Sequence, residues 1–579
     1  MRAGSPEFEG MVGRLRRHAD ELPDRDAVLF FRGAAQDHAP ERLDYAGLDR
    51  AARSTAAWLQ SRCRPGDRVL LLHPQGLDLV KSFVACLYAG LAPVVVPVPG
   101  GHAHQAERTA RIAVDCAASV VLTDSVSLPD VQAWLDLPGT PAVEYAVTDE
   151  GDLAPAENWT DPGVGPDDVA FLQYTSGSTS DPRGVIVSHA NIAHNIGELT
   201  DALGWDADMR FCGWVPMFHD MGLILTVLSP LYLGTTTVLM TATSFLKRPS
   251  MWLQLIDRYD VQISCAPNFA YDLCVRRLTD EQIAGLDLSR WVCAANGAEP
   301  VDAATMERFA RRFAPAGFRY ESFAPAYGLA ETTLLVSGTP TGRAPVLRQV
   351  DPAALEKHRM VPVGEEDSVT LAGSGQVAGM DVRIVDPGSL DELTDGYIGE
   401  VWVRGPSITQ GYWQRPEATE RLFCATTTDD DGGFLRTGDL GALLDGELFI
   451  TGRIKEMLIV RGRNLYPHDI EREVGALDPA FEGRTGSAFS VPGPAGQGEE
   501  IVVVQEIRAG QTDPGRLSGL AAHVKDTMGR SLGVKAPHVV LVRPGQVRRT
   551  TSGKIQRSLM RELYLSDQLT PLYATERQA

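Results

Sequence analysis

The chain has 579 residues, too many for one compact core, so two or more domains are expected. Its 44% hydrophobic and 22% charged residues are an ordinary globular balance, and a formal net charge of −21 argues against a nucleic-acid or anionic-membrane surface. The eight cysteines form no CxxC pair, no HExxH or Cys/His cluster suggests a structural metal, and no signal h-region is visible, which together favour a reduced, cytoplasmic protein.

In chain order, MRAGSPEF reads as a cloning scar, and residues 1–10 are set aside as a disordered start. From Asp26 to about Pro340 apolar strand-like runs alternate with helical patterns. The strands are placed at Arg68–His73, Val94–Val98, Ser119–Thr123, Val169–Tyr174, Phe211–Val215, Thr236–Met240, Val261–Ala266 and Trp291–Asn296. The helices are placed at Tyr45–Arg62, Leu77–Tyr88, Ala106–Ala117, His189–Leu203, Pro249–Tyr259 and Val301–Phe313. This rhythm predicts an α/β fold of stacked, mainly parallel sheets with helices on their faces, in a large domain spanning 11–454. The longest apolar run, Met221–Leu233, is too short for a membrane span and contains Pro230.

After Gly338 the texture changes. Residues 339–376 are polar and irregular, with a short helical turn at Pro352–His358, and Asp381–Val385 and Glu400–Arg404 read as strands of a β-rich region. Residues 455–563 form a compact α+β module, and 564–579 are read as a tail.

Seven stretches carry chemistry. Thr175, Ser176, Gly177, Ser178 and Thr179 lie between two apolar runs, Val169–Leu172 and Gly184–Val187. Small hydroxyl residues and glycine let backbone N–H groups and hydroxyls converge on an anion with several oxygens, and phosphate is the natural guess. Taken alone, such a run is more often a surface loop, and it is not a Walker loop, because GxxxxGK[ST] is absent. His219 and Asp220 follow a strand in PMFHDMG; a lone histidine there is usually packed or surface-exposed. Gly297, Ala298 and Glu299 end the Trp291 strand, where an open α/β sheet places ligands. In AYGLAETT, Tyr327 offers a flat face for a purine beside Gly328, Thr332 a hydroxyl and Glu331 a hard oxygen ligand for Mg²⁺; alone, the stretch reads as a helix start. In RTGDLG, Asp439 is placed to accept two ribose hydroxyls. Arg453 and Lys455 open the GRIKEMLIVRGRNLYP stretch. Finally, Gly553 allows a tight turn from which Lys554 projects a mobile cation.

The loop Tyr174–Val185 resembles the phosphate loop of the adenylate-forming superfamily, which includes acyl-CoA synthetases, amino-acid adenylation domains, luciferase and fatty acyl-AMP ligases. Ser180 stands where a Gly is usual and Arg183 where a Lys is usual. The other six stretches follow in that superfamily's order. The resemblance implies ATP and Mg²⁺ as cofactors, with Glu331 as metal ligand. It implies that Gly297 to Pro300 border the adenine, that Arg453 contacts the ribose and that Lys455 is the hinge between a large and a small domain. Lys554 would then reach from the small domain to bridge the α-phosphate and the attacking carboxylate, and His219 would gate the acyl pocket.

The HDMG form, the RGRN-x-YP-x-DIE form and the VDPAALEKHRMVPV core of 339–376 resemble the fatty acyl-AMP ligase branch. In that branch the insertion packs against the small domain and restrains CoA-dependent chemistry. The implied function is ATP-dependent activation of a fatty acid to acyl-adenylate with release of pyrophosphate. Transfer to the phosphopantetheine thiol of an acyl carrier protein follows. The chain runs only to Ala579 after Lys554, so the carrier is expected in trans. The alternative is an acyl-CoA synthetase. A catalytically silent adenylate binder is disfavoured by the presence of Glu331, Asp439 and Lys554, and a serine hydrolase by the lack of a G-x-S-x-G elbow.

Overall fold

The computed structural model describes residues 8–33, 39–100, 103–175, 182–460, 463–492, 499–508, 510, 513–531, 538–550 and 554–575. Its largest element is a 13-stranded sheet whose two halves differ in direction. In the first half Asp26–Phe31, Thr237–Met240, Phe211–Gly213, Ile263–Ala266, Cys293–Asn296 and Phe323–Gly328 lie side by side and parallel. These strands are aliphatic and almost wholly buried, as a parallel sheet covered on both faces requires. At Phe323–Gly328 the direction changes. Leu335–Gly338 returns antiparallel, and Gln376–Val377, Glu447–Arg453, Leu435–Leu444, Gly399–Arg404 and Asp381–Val385 continue antiparallel. A second, parallel sheet is made by Arg68–Leu72, Ala92–Val95, Ala118–Thr123 and Glu144–Val147. Val169–Thr175 and Arg183–Ser188 form a separate antiparallel hairpin.

Local chemistry explains why particular helices stand where the sequence places them. His189–Leu203 opens on a capping box, Ser188 Oγ accepting from Asn191 N at 3.1 Å and Asn191 Oδ1 accepting from Ser188 N at 3.0 Å, and it closes on Gly204 in the left-handed region. The apolar run after Asp220 is a π-helix, Met221–Leu228, followed by Ser229–Leu233. Glycine is needed at its start, because a Cβ on Gly222 would lie 2.2 Å from the Pro216 carbonyl oxygen. Several helices, Met11–Glu21, Asn268–Arg277 and Pro416–Phe423 among them, are not among those expected from the sequence.

Three expectations are corrected. Residues 8–10 are not a disordered start: Glu9 pairs with Arg17 at 2.7 Å just before helix Met11–Glu21. The segment 339–376 is not irregular throughout, because Leu347–Val350 pairs antiparallel with Val369–Ala372. The stretch after 563 is not a plain tail: Pro571–Ala574 pairs antiparallel with His538–Val542 and completes a four-stranded sheet with Glu499–Glu506 and Gly486–Pro492. The helices Pro467–Ala476 and Pro514–Ser531 pack on that sheet around their own apolar core. An ion pair between Arg472 and Asp302 at 3.8 Å connects this C-terminal module to the large sheet's helices. Among the described residues no helix is long and apolar enough to cross a membrane, and the eight cysteines are free.

Candidate active site

The strands Cys293–Asn296 and Phe323–Gly328 end side by side, Asn296 opposite Pro325, where the parallel half of the sheet gives way to the antiparallel half. The carboxyl ends of parallel strands at such a junction are where open α/β sheets bind ligands. Gly297 is buried at this edge, and Ala298 is exposed with φ +65°. Glu299 Oε1 accepts from Phe269 N at 2.6 Å. Burial raises the Glu299 carboxyl above its ordinary value, with the cations Arg549 and Lys554 opposing.

The AYGLAETT stretch is a strand end followed by a 3-10 turn, Ala330–Thr332, rather than a helix start. A helix is prevented by the close approach of Gly328, where a Cβ would lie 1.7 Å from the Leu334 carbonyl oxygen. Thr332 is fully buried, and its hydroxyl donates to Leu329 O at 2.9 Å, so it serves the turn itself. The turn presents Glu331. Its main-chain oxygen accepts from Thr409 N and Thr409 Oγ1, each at 3.0 Å, and its Oε1 accepts from Tyr412 Oη at 2.7 Å. Burial raises the Glu331 carboxyl, and the Tyr412 bond pulls the other way.

Tyr327 is buried, and its hydroxyl donates to Asp439 Oδ2 at 2.8 Å. The other oxygen, Asp439 Oδ1, lies 2.7 Å from Arg453 Nε, because Asp439 and Arg453 are register partners on adjacent strands. The Asp439 side chain is 5% exposed, whereas the Arg453 side chain is 57% exposed, so the pair turns a cation outward from a buried anchor. Asp439 is the first cause that holds the Arg453 guanidinium above its usual value.

On the opposite wall, Thr175 ends its strand opposite Arg183. Ser176, Gly177, Ser178 and Thr179 lie outside the described residues, as does Gly553. The Arg183 guanidinium stands 5.5 Å over the Tyr412 ring, so the arginine in the usual lysine position leans on the tyrosine that holds Glu331. On the same strand as Thr175, Tyr174 Oη donates to Asp115 Oδ2 at 2.6 Å, and Arg415 reaches Asp115 Oδ1 at 2.6 Å.

His219 packs on Phe218, ring centroids 4.8 Å apart, and its Nε2 has no hydrogen-bond partner among the described residues. Burial pushes its pKa down to about 3, with Lys554 and Arg108 adding to the effect, so the imidazole is neutral at working pH. The neighbouring Asp220 caps the π-helix through Met221 N at 2.7 Å; burial raises its carboxyl, and Lys554 opposes. Lys554 sits in a turn closed by the Arg549–Ile555 bridge and by Thr550 N donating to Lys554 O at 2.7 Å. Lys554 is exposed, and the protein atoms crowded around its ammonium lower its pKa; Asp220 is the leading counter-influence, followed among the carboxylates by Asp439 and Glu299. Lys455 is exposed in the turn after Glu447–Arg453, and the next residue, Glu456, pairs with Arg557, which also grips Glu471 at 2.8 and 2.7 Å.

The charge of Lys554 thus acts on His219, Asp220 and Glu299 and responds to Asp439 and Arg453, and Glu331 responds to Asp220 and Arg453. Tyr412 and Arg108 are members of this site that the motifs do not reveal. Both are recruited through tertiary packing, and GYW and AERTAR carry no chemical signature of their own. Among the described residues no group of three or more His, Cys, Asp or Glu could hold a metal ion alone.

Residues 15–413 match the family model described as AMP-binding enzyme. The chain is 39% identical over 577 residues to the medium-chain-fatty-acid–[acyl-carrier-protein] ligase JamA of Moorena producens (strain JHB), covering 97% of this chain and 96% of that protein. It is 38% identical over 578 residues to the 4-hydroxyphenylalkanoate adenylyltransferase of Mycobacterium marinum, covering 96% and 92%. Among solved structures, it resembles the fatty acyl-adenylate ligase from L. pneumophila in complex with acyl adenylate and pyrophosphate, with a TM-score of 0.76, 34% identity and 98% of each chain covered.

Proposed function

The chain belongs to the AMP-binding enzyme family, and on that premise we propose that it activates a fatty acid with ATP and passes the acyl group to an acyl carrier protein. The observation that carries the adenylation step is the placing of Lys554, from the C-terminal module, among Asp220, Asp439 and Glu299 of the large domain. A fatty carboxylate oxygen attacks the α-phosphorus, the bond to the bridging oxygen breaks, and that oxygen leaves with the electron pair as part of pyrophosphate. The protein's contribution is positioning and charge neutralisation. Asp439, oriented by Tyr327 and Arg453, accepts the ribose hydroxyls, and the Lys554 ammonium faces the charge that builds between carboxylate and α-phosphate. His219, neutral and apolar-packed, borders the acyl side without taking a proton.

Glu331 fits a Mg²⁺ site: it is a single hard carboxylate, held by one hydroxyl at one oxygen, in a cleft meant for phosphates. Mg²⁺ is commonly bound by one or two protein carboxylates plus substrate oxygens. Bound there, the ion would supply charge neutralisation for the triphosphate.

The acceptor rests on two supports. The relative JamA is named for acyl-carrier-protein ligation. The insertion 339–376 sends Val350 and Met360 into a buried cluster with Leu440, Phe449 and Tyr466, against which Ile454 and Met457 pack on either side of Lys455. An insertion gripping both flanks of the hinge is suited to restrain how far a mobile small domain, 455–563, turns away from 11–454. The eight free cysteines suit a cytoplasmic setting.

Mass-spectrometric product analysis tests the reading. The protein, ATP and Mg²⁺ are incubated with a panel of fatty acids and with no acceptor, CoA, or a holo carrier protein. Acyl-AMP that moves to the carrier but not to CoA is the expected result. Rapid acyl-CoA formation makes the protein an acyl-CoA synthetase, and no adenylate from any acid overturns the substrate class.

A further inference from the structure

One cation beside the site has no assigned work. Arg108 lies on helix Ala103–Asp115, outside all seven motifs. Its side chain is half-buried, and Nη2 donates to Thr175 O at 3.3 Å, where the hydroxyl-rich stretch begins. Its charge also acts on His219, as does that of Lys554, so it faces the same cleft.

Several arginines near the site hold a carboxylate, and Arg108 holds none among the described residues. Arg453 has Asp439, Arg415 has Asp115, and Arg557 has Glu471 and Glu456. Among the described residues no carboxylate accompanies Arg108, and the one other charge that bears on it is a second cation, Arg111. Burying a guanidinium is costly unless an anion matches it. The single hydrogen bond to Thr175 O uses one of five donors and leaves the rest of the planar fork for an anion with paired oxygens. A half-buried guanidinium at Thr175, with no carboxylate beside it among the described residues, is suited to an anion from outside the chain.

We propose that Arg108 is a substrate-contacting residue that binds the β- and γ-phosphates of ATP and, after the α-phosphorus is transferred, the departing pyrophosphate. This rests on the adenylation reading above. In that step the bond between the α-phosphorus and the bridging oxygen breaks and the electron pair stays on pyrophosphate. Arg108 therefore meets charge that grows as the reaction proceeds. It complements Lys554, which serves the α-phosphate side. The phosphate of a carrier's phosphopantetheine arm offers the same chemistry, and the test separates the two.

Arg108→Ala and Arg108→Lys are compared with the wild-type protein by calorimetric titration of ATP, pyrophosphate and AMP in the presence of Mg²⁺. Fatty-acid-dependent ATP–pyrophosphate exchange and transfer from preformed acyl-AMP to a holo carrier are also measured. Loss of a charge-assisted contact predicts ATP and pyrophosphate binding weakened by about 10–100-fold in the alanine variant, and AMP binding within about twofold of wild type. The lysine variant, which keeps the charge but loses the fork, should fall between; it carries the test alone should the alanine variant not fold. Equal weakening of ATP and AMP, or unchanged pyrophosphate binding, overturns the proposal. A loss confined to acyl transfer overturns it in favour of the carrier arm. If the wild-type protein shows no fatty-acid-dependent exchange, the functional reading fails on its own, while the ATP-against-AMP comparison still judges Arg108.

Discussion

Replacing Lys554 with alanine removes the cation of the C-terminal module whose charge acts on Asp220, Asp439 and Glu299 together. A donor aimed at charge that develops only in the transition state is worth roughly 2.7–4 kcal/mol, so the adenylation rate should fall by about 10²–10³-fold. Acyl transfer from preformed acyl-AMP should change little, because the α-phosphorus already carries its acyl group and no pyrophosphate has to leave. Single-turnover assays of each half-reaction, with product read by mass spectrometry, separate the two. The pH dependence adds a second readout. The crowded walls place the Lys554 pKa below its ordinary value, so the ammonium is lost as pH rises through that lowered value, and adenylation should decline on the alkaline side before about pH 10.4, where a free lysine titrates. That limb should vanish in Lys554→Ala. Equal damage to both half-reactions, or an alkaline limb that survives the substitution, would refute the reasoning.

Two further predictions follow from buried groups. Glu331→Gln keeps an acceptor for Tyr412 but removes a buried charge, so adenylation should drop by at least ~10²-fold while the unliganded protein melts higher at neutral pH. The sign follows from linkage. The folded carboxyl is raised, so its favourable contribution is complete below the unfolded value and is lost as pH rises through the folded one. The thermal advantage of Gln should therefore disappear in acid, and a variant that melts lower at pH 7 contradicts the burial argument. Met360→Ala loosens the cluster that joins the insertion to Ile454, Met457 and Tyr466, with a packing loss of about 2–5 kcal/mol. Acyl-adenylate formation should hold within a few-fold while acyl-CoA becomes detectable by mass spectrometry; a folded variant that still excludes CoA counts against the restraint.

Much of this was legible where local rules agree with the fold. His189–Leu203 was bounded correctly because Ser188, Asn191 and Gly204 mark its ends chemically. Asp439 and Arg453 are both assigned to the ribose from their motifs, yet sequence spacing does not show that strand register makes them an ion pair on a buried anchor. The role of Thr332 was misjudged for a related reason: a hydroxyl in a motif looks available, and only the tight turn at Gly328 shows that it bonds inward. The π-helix could not be told from a buried strand or helix, since its residues are apolar on every face. The hairpin of 347–372 and the strand Pro571–Ala574 were missed because short edge strands with mixed burial carry little periodic signal. Tyr412 and Arg108 act through tertiary contacts to Glu331 and Thr175, which no local pattern encodes.

The turn around Lys455 determines how any swing of the C-terminal module would be geared. Arg453 is fixed to the large sheet through Asp439, and Ile454 N is bonded to Gly438 O at 3.0 Å. Glu456 travels with the module through Arg557. If the module turns here, as proposed, Lys455 is the residue between two held neighbours whose dihedrals would carry the motion. The bonds spanning the joint, Glu456 N and Met457 N to Arg453 O at 3.1 and 3.0 Å, form a latch of only about 1–3 kcal/mol. A latch so weak leaves the apolar cluster around Met360 and Tyr466, with the Arg472–Asp302 pair, as the larger restraint on any such turn.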